Sequence, residues 1–418
     1  MINYRKALIF AEGESHDRRE PRVKAKGLAV NRQLAPFALV ACLGFLSVGI
    51  PLPVLSLFVH DRLGFNTLIV GFVIGAQSFA TLVSRRYAGR LCDSRGPKPT
   101  TLAGLATASV SGLCYLASNQ AIGSPALALA VVLLGRVLLG FGESLFITAT
   151  AAWSVARVGS AHAGRAMAWS GISMYSALAI GAPIGTQIYR SLDFNAVAYG
   201  AIAMPLVAAA VAALLRPLAV EPQPHISYLQ LLGRIWPPGL GMALASAGIG
   251  TISAFLPLYY SRHGWSGVGA ALMAFGSAYI LMRLIFGGLP DRIGGFNVAT
   301  VSLATETLGL ITIWLAPTPG IGLAGATLTG LGYSLIFPAL GIEALRRAST
   351  QNRGLALGAY LACFDLGIAM AGPVAGLIAQ AFGLQTVFPA AAGAAILAFL
   401  LTARTRTTSK PAMKQKSA

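Results

Sequence analysis

Charge is scarce in this chain: Asp, Glu, Lys and Arg make up 11% of its 418 residues, and only 13 residues are acidic. A soluble domain of that length needs more charge to coat its surface, which excludes an ordinary water-soluble globule. Cysteine is equally sparse. The four, Cys42, Cys92, Cys114 and Cys363, form neither a metal-ligand spacing nor a framework for disulfides. Also absent are a Gly-x-x-x-x-Gly-Lys-Ser/Thr phosphate loop and a His-Glu-x-x-His metal site, so the sequence implies no metal or other cofactor. Gly140 and Gly142 make a lone Gly-x-Gly inside an apolar run without a preceding strand, the wrong setting for a dinucleotide. No basic stretch is interleaved with aromatics, so a nucleic-acid partner is not expected despite a formal charge of +18. An enzyme is not expected either.

Apolar residues fill the space that charge leaves. They make up 56% of the chain, and its mean hydropathy is +0.70. A membrane span takes about 20 mostly apolar residues, and twelve such runs begin near Leu34, Leu68, Pro99, Pro125, Ala163, Asn195, Pro237, Ser266, Phe296, Gly320, Gly354 and Gln385. Lipid offers no partner to backbone polar groups, so runs of this length should be helices. They do not alternate as barrel strands would. The expected fold is therefore all-α and polytopic, with twelve transmembrane helices.

The basic residues orient them. Of 31 Lys and Arg, 27 fall on the side of the two tails, three (Arg62, Arg190 and Arg262) fall on the opposite side, and Arg136 lies within a span. The excess places both termini in the cytoplasm, and the lipid bilayer is the partner of the basic face. Residues 1–33 read as a disordered cytoplasmic tail. No secretory signal peptide is expected there, because the longest apolar run, Ala7 to Ala11, is too short. Residues 34–216 and 237–403 read as two six-helix bundles, 217–236 as the cytoplasmic linker and 404–418 as a second cytoplasmic tail. Within the linker, HISYLQLLGRIW is expected to lie as a short amphipathic helix on the membrane surface.

The division into halves rests on an internal repeat. Arg85, Gly89, Leu91, Asp93 and Gly96 match Arg283, Gly287, Leu289, Asp291 and Gly294 at an offset of 198, each time between the second and third spans of a half. At an offset of 190, Gly140, Gly142, Ser144, Leu145, Gly164, Ala166 and Pro183 match Gly330, Gly332, Ser334, Leu335, Gly354, Ala356 and Pro373.

These segments carry a resemblance. GRLCDSRGPK resembles the loop signature of the major facilitator superfamily, RVLLGFG (136 to 142) its fourth-helix motif, and GAPIG (181 to 185) and AGPVAG (371 to 376) its Gly-Pro motif. Ala182 separates Gly181 from Pro183, so the antiporter form of that motif is cleaner in the eleventh span. Within the superfamily, LPVLSLFVHDRLGF (52 to 65), SRRYAGRLCDSRGPK (84 to 98) and GRAMAWSGISMYSALAIGAPIG (164 to 185) resemble the YhhS-type bacterial transporters. The resemblance implies a bacterial inner (cytoplasmic) membrane protein of two pseudo-symmetric bundles, working as a monomer.

Two bundles that rock about a midplane site need close helix contacts and contacts that break. Gly89 and Gly287 are expected to let helix backbones approach. With Gly96 and Gly294 they frame Arg85, Asp93, Arg283 and Asp291 as a cytoplasmic gate, in which the aspartates pair with Arg or meet a helix N-terminus. The other reading is a solvated loop that only fixes topology. Gly140, Gly142, Gly181, Pro183, Gly372, Pro373 and Gly376 are the helix-packing motif residues. Pro51, Pro53 and Pro257 interrupt the first and seventh spans, as gating bends or fixed ones.

Charges within spans cost about 2.5–3.5 kcal/mol each on insertion scales, so each needs a reason. Arg136 and Glu143, seven residues apart on one helix face, are expected to line one cavity without touching. Glu143, Asp365 and Arg136 are the proton-coupling candidates. The alternative for Glu143 is a bond to a neighbouring helix and no titration. At the 190 offset Glu143 aligns with Tyr333 and Asp365 with Tyr175, which makes Tyr175 and Tyr333 the substrate-cavity candidates, or ordinary packing residues. Glu306 is expected to hydrogen-bond an adjacent helix. Asp61 and Arg62 close the first span as a solvated outer ion pair, and His60 beside them is a candidate for a pH-sensitive outer contact.

These readings favour a secondary active transporter, a proton-coupled exporter (antiporter) of small organic molecules such as drugs, sugars or metabolites. Proton-coupled uptake is the nearest alternative, and a membrane sensor that does not transport is a third. The charges of the proposed cavity do not decide between cationic and anionic substrates.

Overall fold

The computed structural model describes residues 30–159, 162–218, 228–347 and 353–408. Most of the expected N-terminal tail, the middle of the linker and residues 409–418 lie outside the described residues. Twelve long helices carry the fold: α1 (Val30–Arg62), α2 (Thr67–Arg95), α3 (Pro97–Gln120), α4 (Pro125–Val158), α5 (Ala163–Ser191), α6 (Phe194–Leu214), α7 (Tyr228–Arg262), α8 (Val268–Phe286), α9 (Gly295–Trp314), α10 (Pro319–Arg346), α11 (Arg353–Phe382) and α12 (Val387–Thr408). No strand occurs among the described residues. Eleven of the twelve are long and apolar enough to cross a membrane. The exception, α5, is 29 residues long but is diluted by Gly, Ser and Thr, and it packs between the halves against α8.

Local signals set the helix ends. The Asn66 side chain accepts the Ile69 N–H at 3.1 Å to open α2, and Asp193 accepts the Ala196 N–H at 2.9 Å to open α6. Proline stands in the first turn of α3, α4 and α10, where its missing N–H costs nothing. Gly96 and Gly294, one from each copy of the repeat, turn the chain with φ of +87° and +92°, a region that side chains rarely enter. The bend expected in the first span is present: a turn at Ile50–Pro51 leads into Leu52–Leu57 and a π-helical stretch, Phe58–Arg62. By contrast α7 runs unbroken through Pro257.

One expectation fails here. From Tyr228 onward, HISYLQLLGRIW is no separate surface helix but the start of α7. An apolar helix already formed extends by one hydrogen bond per residue, which is cheaper than nucleating a second one beside it.

The packing repeats with the sequence. In the first half α4 packs on α2 and α3, and α6 on α3. In the second half α10 packs on α8 and α9, and α12 on α9. The halves meet along two seams related by the same exchange, α2 against α11 and α5 against α8. Glycine sets their closeness. A side chain at Gly71 would strike the Gly372 carbonyl, one at Gly376 would meet Thr67 and Leu68, and one at Gly276 would meet Tyr175 and Ala179. Toward the basic end the seams loosen, with no atom within 4 Å of where a Cβ would stand at Gly89 of α2 or Gly164 of α5.

Candidate functional site

Two layers of side chains cross the seams. In the first, Arg85 Nε of α2 donates to Asp365 Oδ2 of α11 at 2.7 Å, and its Nη2 pairs with the same oxygen. The pair is shielded, the side chains being 18% and 7% exposed, so water screens it little. Thr81 and Gln77 stand one and two turns before Arg85 on the same face of α2, and both reach Glu143 of α4. Gln77 Nε2 donates to Glu143 Oε2 at 2.6 Å, while Thr81 Oγ1 lies 3.5 Å from that oxygen and 3.0 Å from the Gly140 carbonyl. Arg85 and Asp365 are close enough to act on the Glu143 charge. Arg136 acts on that charge as well. Asp365 holds Arg85, and Glu143 rests on neutral donors.

Across the pseudo-two-fold axis the same positions are aromatic except for the arginine, which is kept. Gln77, Thr81 and Arg85 correspond to Phe275, Tyr279 and Arg283 at the 198 offset, and Glu143 and Asp365 to Tyr333 and Tyr175 at the 190 offset. Tyr175 stacks on Tyr279 with ring centroids 3.6 Å apart and lies 6.3 Å from Tyr333 and 6.2 Å from Phe275. Arg283 finds no acid among the described residues. Its Nη1 donates to the Ser334 carbonyl at 2.7 Å and lies 3.3 Å from the Tyr279 hydroxyl. One seam is thus closed by charge and the other by stacked rings.

The family model described as Major Facilitator Superfamily matches residues 37–340 and 240–418. This chain belongs to that superfamily. An uncharacterized MFS-type transporter of Burkholderia mallei (strain SAVP1) is 44% identical over 351 residues, covering 84% of this chain and 86% of the relative. An uncharacterized MFS-type transporter of Pseudomonas aeruginosa (strain LESB58) is 41% identical over 359 residues, 86% of this chain and 89% of that one. Among solved structures, the nucleoside transporter NupG superposes with a TM-score of 0.69 at 16% identity, over 90% of this chain and 99% of its own. The human organic anion transporter MFSD10 (TETRAN) superposes with 0.69 at 18% identity, over 89% of this chain and 99% of the other. Likeness at such low identity shows the fold alone. The protein is a multi-pass membrane transporter rather than an enzyme.

Several MFS motif residues sit elsewhere than their spacing suggested. Arg136 does not line a cavity with Glu143. It is 1% exposed, and its Nε and Nη2 each donate at 3.0 Å to the carbonyls of Val73 and Ile74 in α2. Gly140, one turn on, brings the α4 backbone against the Gln77 carbonyl and so sets Arg136 beside the α2 carbonyls. Gly89 meets no other helix, and Gly287 meets only the Arg283 carbonyl of its own chain segment, so the close approaches belong to other glycines. Asp93 and Asp291 make no ion pair or hydrogen bond among the described residues. Among the described residues, the acid that does meet the N-terminus of a neighbouring helix is Glu343. Its Oε1 accepts the Gly295 N–H at 3.1 Å at the start of α9 and also pairs with Arg346.

The packing motif residues all lie at helix contacts. Gly142 meets Gly104 and Ala108, Gly181 meets Gly49 and Ile50, Pro183 meets Gly269, and Gly372 and Pro373 meet Gly71. Glu306 lacks the bond expected of it, and neither of its oxygens has a partner among the described residues. Sequence reasoning missed Gln77 and Thr81. Their spacing of four residues from each other and from Arg85 was the available signal.

Proposed function

We propose that this MFS transporter works by alternating access as a proton-coupled exporter of small organic molecules, with Asp365 and Glu143 as its titrating groups. The observation that carries this reading is the Arg85–Asp365 pair, which ties the two halves together beside a second acid. A proton on Asp365 cancels the charge that holds Arg85 and leaves Glu143 as the remaining acid for the guanidinium. The α2–α11 seam then loses its ionic tie, while the Tyr175–Tyr279 stack on the other seam holds at any physiological pH. A proton thus acts on one seam only, which turns its binding into a tilt of one half against the other.

Proton antiport, residence as a monomer in the bacterial inner membrane with both termini cytoplasmic, and the YhhS-type affinity belong to the same reading. Residues 34–216 and 237–403 act as its rocking units. Arg85, Gly89, Asp93 and Gly96 with Arg283, Gly287, Asp291 and Gly294 form the gate at the basic end, where Arg85 and Arg283 are engaged in this conformation while Gly89 has open space around it. Tyr175 and Tyr333 become cavity walls when their seam opens. The nucleosides and organic anions named for the structural neighbours fit the substrate class without choosing within it.

The test is uptake of a panel of labelled compounds into inverted and right-side-out vesicles under an imposed pH gradient. Export predicts gradient-driven accumulation in inverted vesicles. Accumulation only in right-side-out vesicles with an inward proton gradient would favour symport. If Asp365→Asn and Glu143→Gln both respond to the gradient as wild type does, the titrating roles are wrong.

A further inference from the structure

Glu306 of α9 is sealed from solvent at 0% exposure, and both carboxyl oxygens lack a hydrogen-bond partner among the described residues. Its Oε1 occupies the place that a side chain at Gly248 of α7 would take, and its backbone lies against Gly332 of α10. No cation among the described residues faces it from the surrounding helices. Arg234 and Arg262 of α7, Arg346 of α10 and Arg404 of α12 stand near helix ends, and Glu343 is engaged at Gly295. Tyr333 of α10 is the titratable group within its electrostatic reach.

Packing does not require this carboxyl. The first half makes the same crossing with Gly142 against Gly104 and Ala108, the positions that correspond to Gly332, Ser302 and Glu306. Ala108 is fully buried there, and a methyl group completes the contact. At 306 the acid adds a desolvation cost with no compensating bond, and an ionised carboxylate without donor or cation is far costlier than the neutral acid. Polar groups stand on the side toward Tyr333, within its electrostatic reach. The Tyr333 hydroxyl lies 3.4 Å from Ser246 Oγ, and the Tyr333 ring faces Tyr175 at the seam.

We propose that Glu306 is a proton-binding site of the second half, loaded in this conformation and emptied when α7 and α10 part to admit water. On opening, its O–H bond breaks, the proton passes to the entering water, and the carboxylate that remains is solvated. The proposal rests on proton coupling only for its contribution to turnover.

Infrared difference spectroscopy on the purified protein tests it without a substrate. Wild type at neutral pH is expected to show the C=O stretch of a protonated carboxyl that Glu306→Gln lacks and that Asp365→Asn and Glu143→Gln keep. The band should shift in D2O and disappear on alkaline titration, with one more proton released than from Glu306→Gln. Gly248→Ala, which presses on the carboxyl, should shift the band and serves if the Gln variant does not fold. A band unchanged in both variants, one that never responds to D2O or pH, or one removed by Na+ at constant pH would overturn the proposal. Transport indifferent to the proton gradient, with the band behaving as expected, would retire the coupling reading and leave this site standing.

Discussion

A guanidinium can neutralise one carboxylate at a time, and Arg85 holds Asp365 while Glu143 lies within its electrostatic influence. A charge-assisted bond in a shielded setting contributes about 2 kcal/mol, and its loss shifts a two-state equilibrium roughly thirtyfold. Asp365→Asn is therefore expected to shift the population toward the conformation with the α2–α11 seam parted and to flatten the pH dependence of transport. Distances between spin labels on α2 and α11 report the first effect, and vesicle uptake at several pH values the second. Exchanging the charges, Arg85→Asp with Asp365→Arg, should restore the wild-type distance distribution, which either single change abolishes. Arg136 behaves differently, since it ties α4 to two carbonyls of α2. Arg136→Lys gives up one of two bonds worth about 1.5–3 kcal/mol each. It should lower the unfolding midpoint in detergent and leave the pH profile of transport unchanged.

The helices add a constraint that no single side chain carries. Where α2 meets α11, Gly71 and Gly372 oppose each other backbone to backbone, and at α5–α8 Gly276 receives Tyr175 and Ala179. Gly71→Val is expected to wedge the first seam at the end away from the basic face. The protein should still insert and purify, because the contacts within each half are untouched, but transport should fall by about tenfold or more for each 1.4 kcal/mol of closing energy lost. The start of α9 offers a smaller test. Glu343→Gln weakens the bond to the Gly295 N–H and the pairing with Arg346, for a cost of about 1 kcal/mol. Hydrogen exchange at the first turn of α9 should rise while that of α3, which has no such acid, stays constant.

At the scale of the whole molecule the two halves are alike in architecture and unlike in chemistry, because the repeat places ionic groups on one seam and tyrosines on the other. Rocking should accordingly be asymmetric. Spin-label pairs across α2–α11 are expected to respond to pH far more than pairs across α5–α8, and equal responses would contradict the single ionic tie. The number of long helices, their beginnings within a few residues except that of α7, which starts at Tyr228 rather than Pro237, the bend at Pro51 and the duplication were legible in the sequence. Each depends on local apolar length, on proline or on a repeated motif. The contacts that Gly89, Gly287 and Arg136 make in this conformation were not legible, because a motif marks residue types while their neighbours come from other helices.

By itself the amino-acid order determined that this chain spans a membrane as duplicated helical halves, since lipid leaves a long apolar run no other way to satisfy its backbone. Only the tertiary structure decided that Arg85 holds Asp365, 280 residues away, that Glu343 rather than Asp291 sits at the start of α9, and that Glu306 has no partner among the described residues. The reason is that contacts across the seams follow from the rigid placement of one bundle on the other. Nothing in the local spacing of either half encodes that placement.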